Sequence, residues 1–262
     1  MLILIAAVLI LTISSLMTMT GRGGGNFYVP ILIALGLPVH QAATTAQLIL
    51  VASASAAMLI FQKHRSVDWK LALVIDPPTD LMAFLGGYYA HIFEETLLKV
   101  IFAGLLVVSA FFMLYPIKEH PPLQKKKPGF WPREYRGYHY VVNLWVALPI
   151  TAATGLIAGM VGISGGSFKV PLMVLACGVP MRVAVGTSSV MVAVTAFTGF
   201  IGHTAGGDFN PYCAVPLAAA AVAGGLIGGK FSLKTKSRNL KRIFAFTTIA
   251  AAIFMGLNAW LS

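Results

Sequence analysis

The sequence predicts an all-α polytopic membrane protein of about ten membrane segments, arranged as two inverted five-segment repeats whose Gly-broken helices meet near the midplane. Three observations carry this expectation: an apolar composition, a glycine-rich decapeptide that recurs in the second half, and basic residues gathered into three loops. Of 262 residues, 58% are hydrophobic and 10% charged, with a mean hydropathy of +0.83. Soluble domains carry roughly 25% charged residues, so a soluble globule is excluded. A crossing takes about 20 apolar residues, and the length is used up by about nine or ten of them. Cys177 and Cys213 are the only cysteines and lie in apolar surroundings without CxxC or metal-ligand spacing. Neither a disulfide framework nor a metal site is expected, and nothing calls for a cofactor.

Met1 to Thr20 is apolar with no Lys or Arg ahead of it, whereas a secretory signal needs a basic n-region and a cleavage site. It is expected to be a retained first span. Pro30 to Leu37 follows Gly21-Arg22-Gly23-Gly24-Gly25 and is too short to cross alone, which suggests half of a broken helix. Further spans are expected at 39–62, 69–90 and 95–115. From 116 to 138 the chain is polar and proline-rich, with Lys125-Lys126-Lys127, and reads as a linker. Spans at 139–161, 181–203, 210–229 and 241–261 follow, with a second Gly-interrupted segment at 163–179. The expected organisation is a first transmembrane repeat at 1–115, a basic linker at 116–138 and a second repeat at 139–262.

The two halves align. Gly21-Arg-Gly-Gly-Gly-Asn-Phe-Tyr-Val-Pro30 and Gly162-Ile-Ser-Gly-Gly-Ser-Phe-Lys-Val-Pro171 agree at six of ten positions at a constant offset of 141. Thr45 then pairs with Thr187, and Gly86-Gly87 answers Gly224-Gly225 at an offset of 138. The loops around Lys63 to Lys70, Lys118 to Arg136 and Lys230 to Arg242 hold 15 of the 19 basic residues. By the positive-inside rule all three are cytoplasmic. Span 39–62 then ends inside and its repeat partner 181–203 ends outside, so the repeats are inverted and both termini lie outside.

Paired, Gly-interrupted helices in inverted repeats point to a secondary transporter with a midplane site. Glycine runs expose backbone N–H groups that hydrocarbon cannot satisfy, and a half-helix that starts after them turns its positive end toward an anion. Arg22 and Lys169 lie in these breaks, where a basic side chain costs about 2.5–3.5 kcal/mol. A small oxyanion suits them, with Gly23, Gly24, Gly25, Asn26, Ser164, Gly165, Gly166 and Ser167 as the breaks' own donors. Thr45, Gln47, Thr187, Ser188 and Ser189 would line the adjoining spans. Close helix packing with snorkelling cations is the competing account of the same residues. Asp76 and Asp80, four apart inside an apolar span, are candidates for proton coupling or for pairing with Arg22 or Lys169. No HExxH or GxxxxGK[ST] motif supports an enzyme or an ATP-driven pump.

The two decapeptides, followed by Ala42-x-x-Thr45 and Ala184-Val-Gly-Thr187-Ser188, resemble the TauE/SafE family of sulfite and organosulfur-anion exporters over essentially the whole chain. The resemblance implies multi-pass transport, in a bacterial or archaeal plasma membrane, of sulfite, a sulfonate such as sulfoacetate, or a related small anion. The expected partners are that anion and the lipid bilayer, with no nucleic acid; a homo-oligomer is left open. Where the second repeat has Gly186-Thr187-Ser188-Ser189, the first has Thr44-Thr45-Ala46-Gln47, so Gln47 is the candidate for altered selectivity. Proton-coupled uptake of a small organic anion and a non-transporting assembly role are the alternatives.

Overall fold

A computed structural model of the chain describes residues 2–90, 94, 100, 103–104, 107–108, 110–111, 128–162, 165–205 and 209–261. Most of the span expected at 95–115, the lysines at 125–127 and Ser164 lie outside the described residues. The first half contains α1 (Leu2–Thr18), α2 (Gly25–Ala34), α3 (Val39–Lys63), α4 (Trp69–Ile75) and α5 (Pro77–Tyr88). Strands β1 (Phe130–Tyr135) and β2 (Tyr138–Asn143) follow, and then α6 (Leu144–Val161). The remainder is α7 (Gly166–Pro171), which runs into a π-helical turn at Leu172–Ala176, then α8 (Met181–Thr204), α9 (Pro211–Lys234) and α10 (Ser237–Leu261).

Among the described residues, four helical stretches are long and apolar enough to cross a membrane: His40–Lys63, Leu144–Val161, Met181–Thr204 and Pro211–Lys234. Leu4–Thr18, Gly25–Ala34 and Gly166–Ala176 are shorter apolar helices. Large aliphatic and aromatic side chains such as Leu4, Val8, Leu59, Leu73, Val215, Phe246 and Ile253 are exposed on the outside. The buried polar residues, Arg22, Asp76 and Lys169 among them, face inward. That polarity is the one expected of a chain dissolved in lipid, where charged groups are costly unless they turn into the bundle.

Local chemistry sets the helix ends. α3 closes with a Schellman arrangement in which Ser66 N–H donates to Phe61 O and Arg65 N–H to Gln62 O. Arg65 takes the left-handed position there, at φ 53°. Asp68 caps α4 by accepting from Leu71 N–H at 3.1 Å. The span expected at 69–90 is interrupted at Asp76, because Pro77 and Pro78 fit only the first turn of a new helix.

Residues 130–143 depart from the expectation of a linker followed directly by a span. They form an antiparallel hairpin with Phe130 opposite Asn143 and Tyr135 opposite Tyr138. Arg136 and Gly137, at φ 53° and 77°, form its two-residue loop. Positive φ at both loop residues matches a type I′ turn, whose twist suits the flanking strands. The apolar helix consequently begins at Leu144 and not at 139.

The main packing runs between the halves. α1 packs on α9, α3 on both α9 and α8, and α5 on both α6 and α8. Glycine backbones make two of these contacts. A Cβ on Gly86 of α5 would lie 2.3 Å from Leu156 O of α6, and one on Gly224 of α9 would lie 2.6 Å from Leu11 O of α1. Their neighbours Gly87 and Gly225 press in the same way against Gly199 of α8 and Ser53 of α3.

Candidate functional site

The two glycine breaks lie against each other at the buried centre. A Cβ on Gly166 would come within 3.0 Å of Arg22 Cα and 3.1 Å of Gly21 O. Each break also rests on the third helix of the opposite half: Gly21 on Val185 of α8, and Gly162 on Ala43 of α3. Asn26 Nδ2 donates to Ser167 Oγ at 2.9 Å, which joins two residues at matching positions of the decapeptides. Only glycine permits this approach, because any side chain would meet backbone.

Hydroxyl groups satisfy the carbonyls that the first break frees. Ser188 Oγ donates to Gly21 O at 2.8 Å. Tyr28 Oη and Ser53 Oγ donate to Gly23 O at 2.5 and 3.1 Å. At the start of α2, Gly24 (φ 103°) provides no side-chain cap, so the first-turn amides of this buried helix end point toward the break without one. Asn26 Oδ1, Thr45 Oγ1 and Gln47 Oε1 are buried and have no hydrogen-bond partner among the described residues. Buried polar atoms are seldom left unpaired, and such exceptions are places where a ligand or water is wanted.

The two cations turn in different directions. Arg22, 1% exposed, is directed at α10: its guanidinium donates to Thr248 Oγ1 at 2.5 Å, to Thr247 Oγ1 and to Thr20 Oγ1 at 3.2 Å. It also lies over the Phe244 ring, 4.4 Å from the centroid. Lys169, fully buried, is directed at α5. Its ammonium donates to Asp76 Oδ1 at 2.5 Å, Thr195 Oγ1 at 2.6 Å and Met191 O at 3.2 Å. Thr195 Oγ1 passes the chain on to Asp80 Oδ1 at 2.7 Å. One cation therefore serves two carboxylates, the first directly and the second through a hydroxyl.

The hydroxyl row of α8 is divided. Ser188 faces the first break, Ser189 bonds back to Val185 O at 3.1 Å, and Thr187 Oγ1 accepts from Asp68 N–H at 3.0 Å. Gln47 faces α8, its amide 3.1 Å from where a Gly199 Cβ would stand. Thr195, Asp68 and the hydroxyls of Thr247 and Thr248 were not singled out from sequence. In Thr195 the signal was present, since Ser188, Met191 and Thr195 recur at helical spacing on one face.

The hairpin closes the end of the bundle below Thr187. Arg133 holds both oxygens of Asp68, at 2.6 and 2.9 Å, and the Tyr140 hydroxyl donates to the same carboxylate. Tyr135 Oη donates to Arg65 O and Val67 O at 2.9 and 2.8 Å. Burial first, then the hydrogen bond and charge of Asp68, push the Tyr140 hydroxyl above the usual phenol range, so it remains a donor at neutral pH.

Comparison with known proteins places these features in context. The family profile described as sulfite exporter TauE/SafE matches residues 4–255. The probable membrane transporter protein YunE of Bacillus subtilis is 26% identical over 244 residues, covering 88% of this chain and 89% of its own. The probable membrane transporter protein YdhB of the same organism is 22% identical over 240 residues, covering 90% and 92%. The probable membrane transporter protein MJ0441 of Methanocaldococcus jannaschii is 23% identical over 230 residues, covering 83% and 80%. No solved structure matches the chain.

Proposed function

The chain belongs to the sulfite exporter TauE/SafE family of membrane transporters, and from that premise we propose that it carries a small sulfur-containing oxyanion, such as sulfite or a sulfonate, out of the cell. The observation that carries this reading is the meeting of the two glycine breaks, with an uncapped helix start and, among the described residues, an unpaired Asn26 oxygen within the first break. Alternating access fits a site held between two halves. The reciprocal contacts of Gly21 with Val185 and Gly162 with Ala43, and the matched roles of Gly86 and Gly224, support the inverted arrangement. In a plasma membrane with the basic loops and hairpin in the cytoplasm, both termini would be outside.

The membrane potential favours exit of an anion by about 2.3 kcal/mol per charge per 100 mV. Export therefore needs no other energy source. A second reading, proton-coupled uptake, is favoured by the chain from Lys169 to Asp76 and through Thr195 to Asp80. A single buried cation neutralises one carboxylate, so a proton on the other would balance the cluster, and its release would change the hold on Lys169.

Proteoliposome flux of labelled sulfite and sulfoacetate tests the proposal. Flux is expected in the wild type and is expected to fall in Asn26→Ala and Ser167→Ala, which change the pair that joins the two breaks. Unchanged flux in both variants overturns the site. An imposed pH gradient that drives net uptake would select the proton-coupled reading.

A further inference from the structure

A second basic feature lies outside the central site. Where the hairpin meets the bundle, a half-open cavity of about 380 Å3 is lined by His64, Ser66, Arg136, Tyr138, Arg182 and Val183. Its volume is at the small end of ligand pockets, roughly 300–1,000 Å3. Three separate parts of the chain supply the basic groups: the end of α3, the hairpin loop and the first turn of α8. Among the described residues no carboxylate pairs with either arginine. Among those residues, Arg136 donates to the carbonyls of His64 and Arg65, at 3.2 Å, and Arg182 to Thr235 O at 3.4 Å. The start of α8 has no side-chain cap, so its amides add positive potential on the same side.

Backbone conformation also favours this arrangement. Arg136 holds φ 53° in a loop position where Asn or Gly is the favoured residue. Left-handed backbone is strained for an L-residue, and the arginine places a guanidinium at the cavity wall there.

The cavity is close to the central breaks. A Cβ on Gly186 would lie 2.3 Å from Ser66 O, and Asp68 N–H donates to Thr187 Oγ1. Ser188, one residue on, donates to Gly21 O in the first break. From Arg182 to Ser188 is about 9 Å along the helix, at 1.5 Å per residue.

We propose that this cavity is an anion-capture vestibule: Arg136 and Arg182 bind a small oxyanion on the basic face and hold it next to the Ser66–Asp68 turn, which separates it from the breaks. The ligand class is a tetrahedral or pyramidal oxyanion with two or three acceptor oxygens, the geometry that a planar guanidinium engages in bidentate fashion. A free ion is the proposed occupant, and an anionic lipid headgroup offers the same oxygens. The inference rests on the anion-transport reading for its role, but not for the binding itself.

The test uses the full chain in nanodiscs of zwitterionic lipid, with labelled inorganic sulfate as the probe. Saturable binding is expected, weakened about tenfold in the Arg136→Gln/Arg182→Gln pair, as loss of charge-assisted bonds implies. The Lys236→Gln/Arg238→Gln pair removes the same charge elsewhere on that face and should leave affinity unchanged; an equal loss there reduces the cavity to a diffuse field and overturns the proposal. The Arg182→Gln single variant, which gives up only one long contact within the protein, keeps the test valid if the pair unfolds. Adding phosphatidylglycerol should not alter sulfate affinity, and competitive loss would assign the cavity to a lipid headgroup instead.

Sulfite flux measured from each face separates this proposal from the transport reading. The arginine pair should raise KM from the basic face alone, with kcat unchanged. Normal flux with a silent arginine pair overturns the vestibule alone. Arginine-dependent sulfate binding without any flux supports the anion-binding cavity and overturns both its vestibule role and the transport reading.

Discussion

Lys169 has three N–H donors, and Asp76, Thr195 and Met191 take all three. Removing the lysine would leave Asp76, 5% exposed, as a buried carboxylate without its cation. Breaking a buried pair from one side costs about 3–5 kcal/mol, whereas replacing both partners with apolar groups is often neutral. Lys169→Ala is therefore expected to melt well below the wild type in detergent, and Lys169→Met/Asp76→Leu to recover most of the loss. If the recovered double variant also transports normally, the pair is structural and the proton-coupled reading fails. Lys169 and Asp76 were each legible in sequence as intramembrane charges. Their pairing was open, because 93 residues of chain separate them and no periodicity links two different helices. Arg22 shows the same limit: Thr247 and Thr248, which hold it, lie in a span that reads only as apolar.

At the scale of elements, helix positions were legible because the apolar runs are long, and their ends were less so. α9 continues to Lys234 and α10 begins at Ser237, both beyond the apolar stretches into basic chain, since an interfacial turn can remain helical with its charges in water. The hairpin was missed because Trp131, Arg133, Tyr135, Tyr138 and Tyr140 mix aromatic and charged residues in a stretch dominated by prolines and lysines. A two-residue loop ending in Gly137 between two aromatic runs was the available signal. Glycine contacts give an element-level test. Gly86→Val and Gly224→Val each push a side chain into the backbone of a partner helix, at Leu156 and Leu11. Overpacking costs about 1–3 kcal/mol where neighbours can shift, and backbone shifts less readily than side chains. Both variants should lose yield of monodisperse protein and melt lower; a wild-type melting curve for either would show that the helices part easily at that crossing.

For the whole molecule, the contacts that bury α1 come chiefly from α9, and those that bury α5 come from α6 and α8. Among the described residues, α1, α3 and α5 each find their main partners in the other half. Separate expression of the two halves, divided at Pro121-Pro122, should give unstable fragments, and co-expression should restore flux; a half that is stable alone would contradict this. The same packing governs how the protein is made. α1 leaves the ribosome long before α9, its main partner, which ends at Lys234, and at about 5–20 residues per second the wait is on the order of 10–40 s. During that interval α1, the face it will give to α9 still open, has only its smaller contacts with α2 and α3 within the protein. Packing of α1 is thus largely deferred until α9 arrives and lets the two halves close on each other.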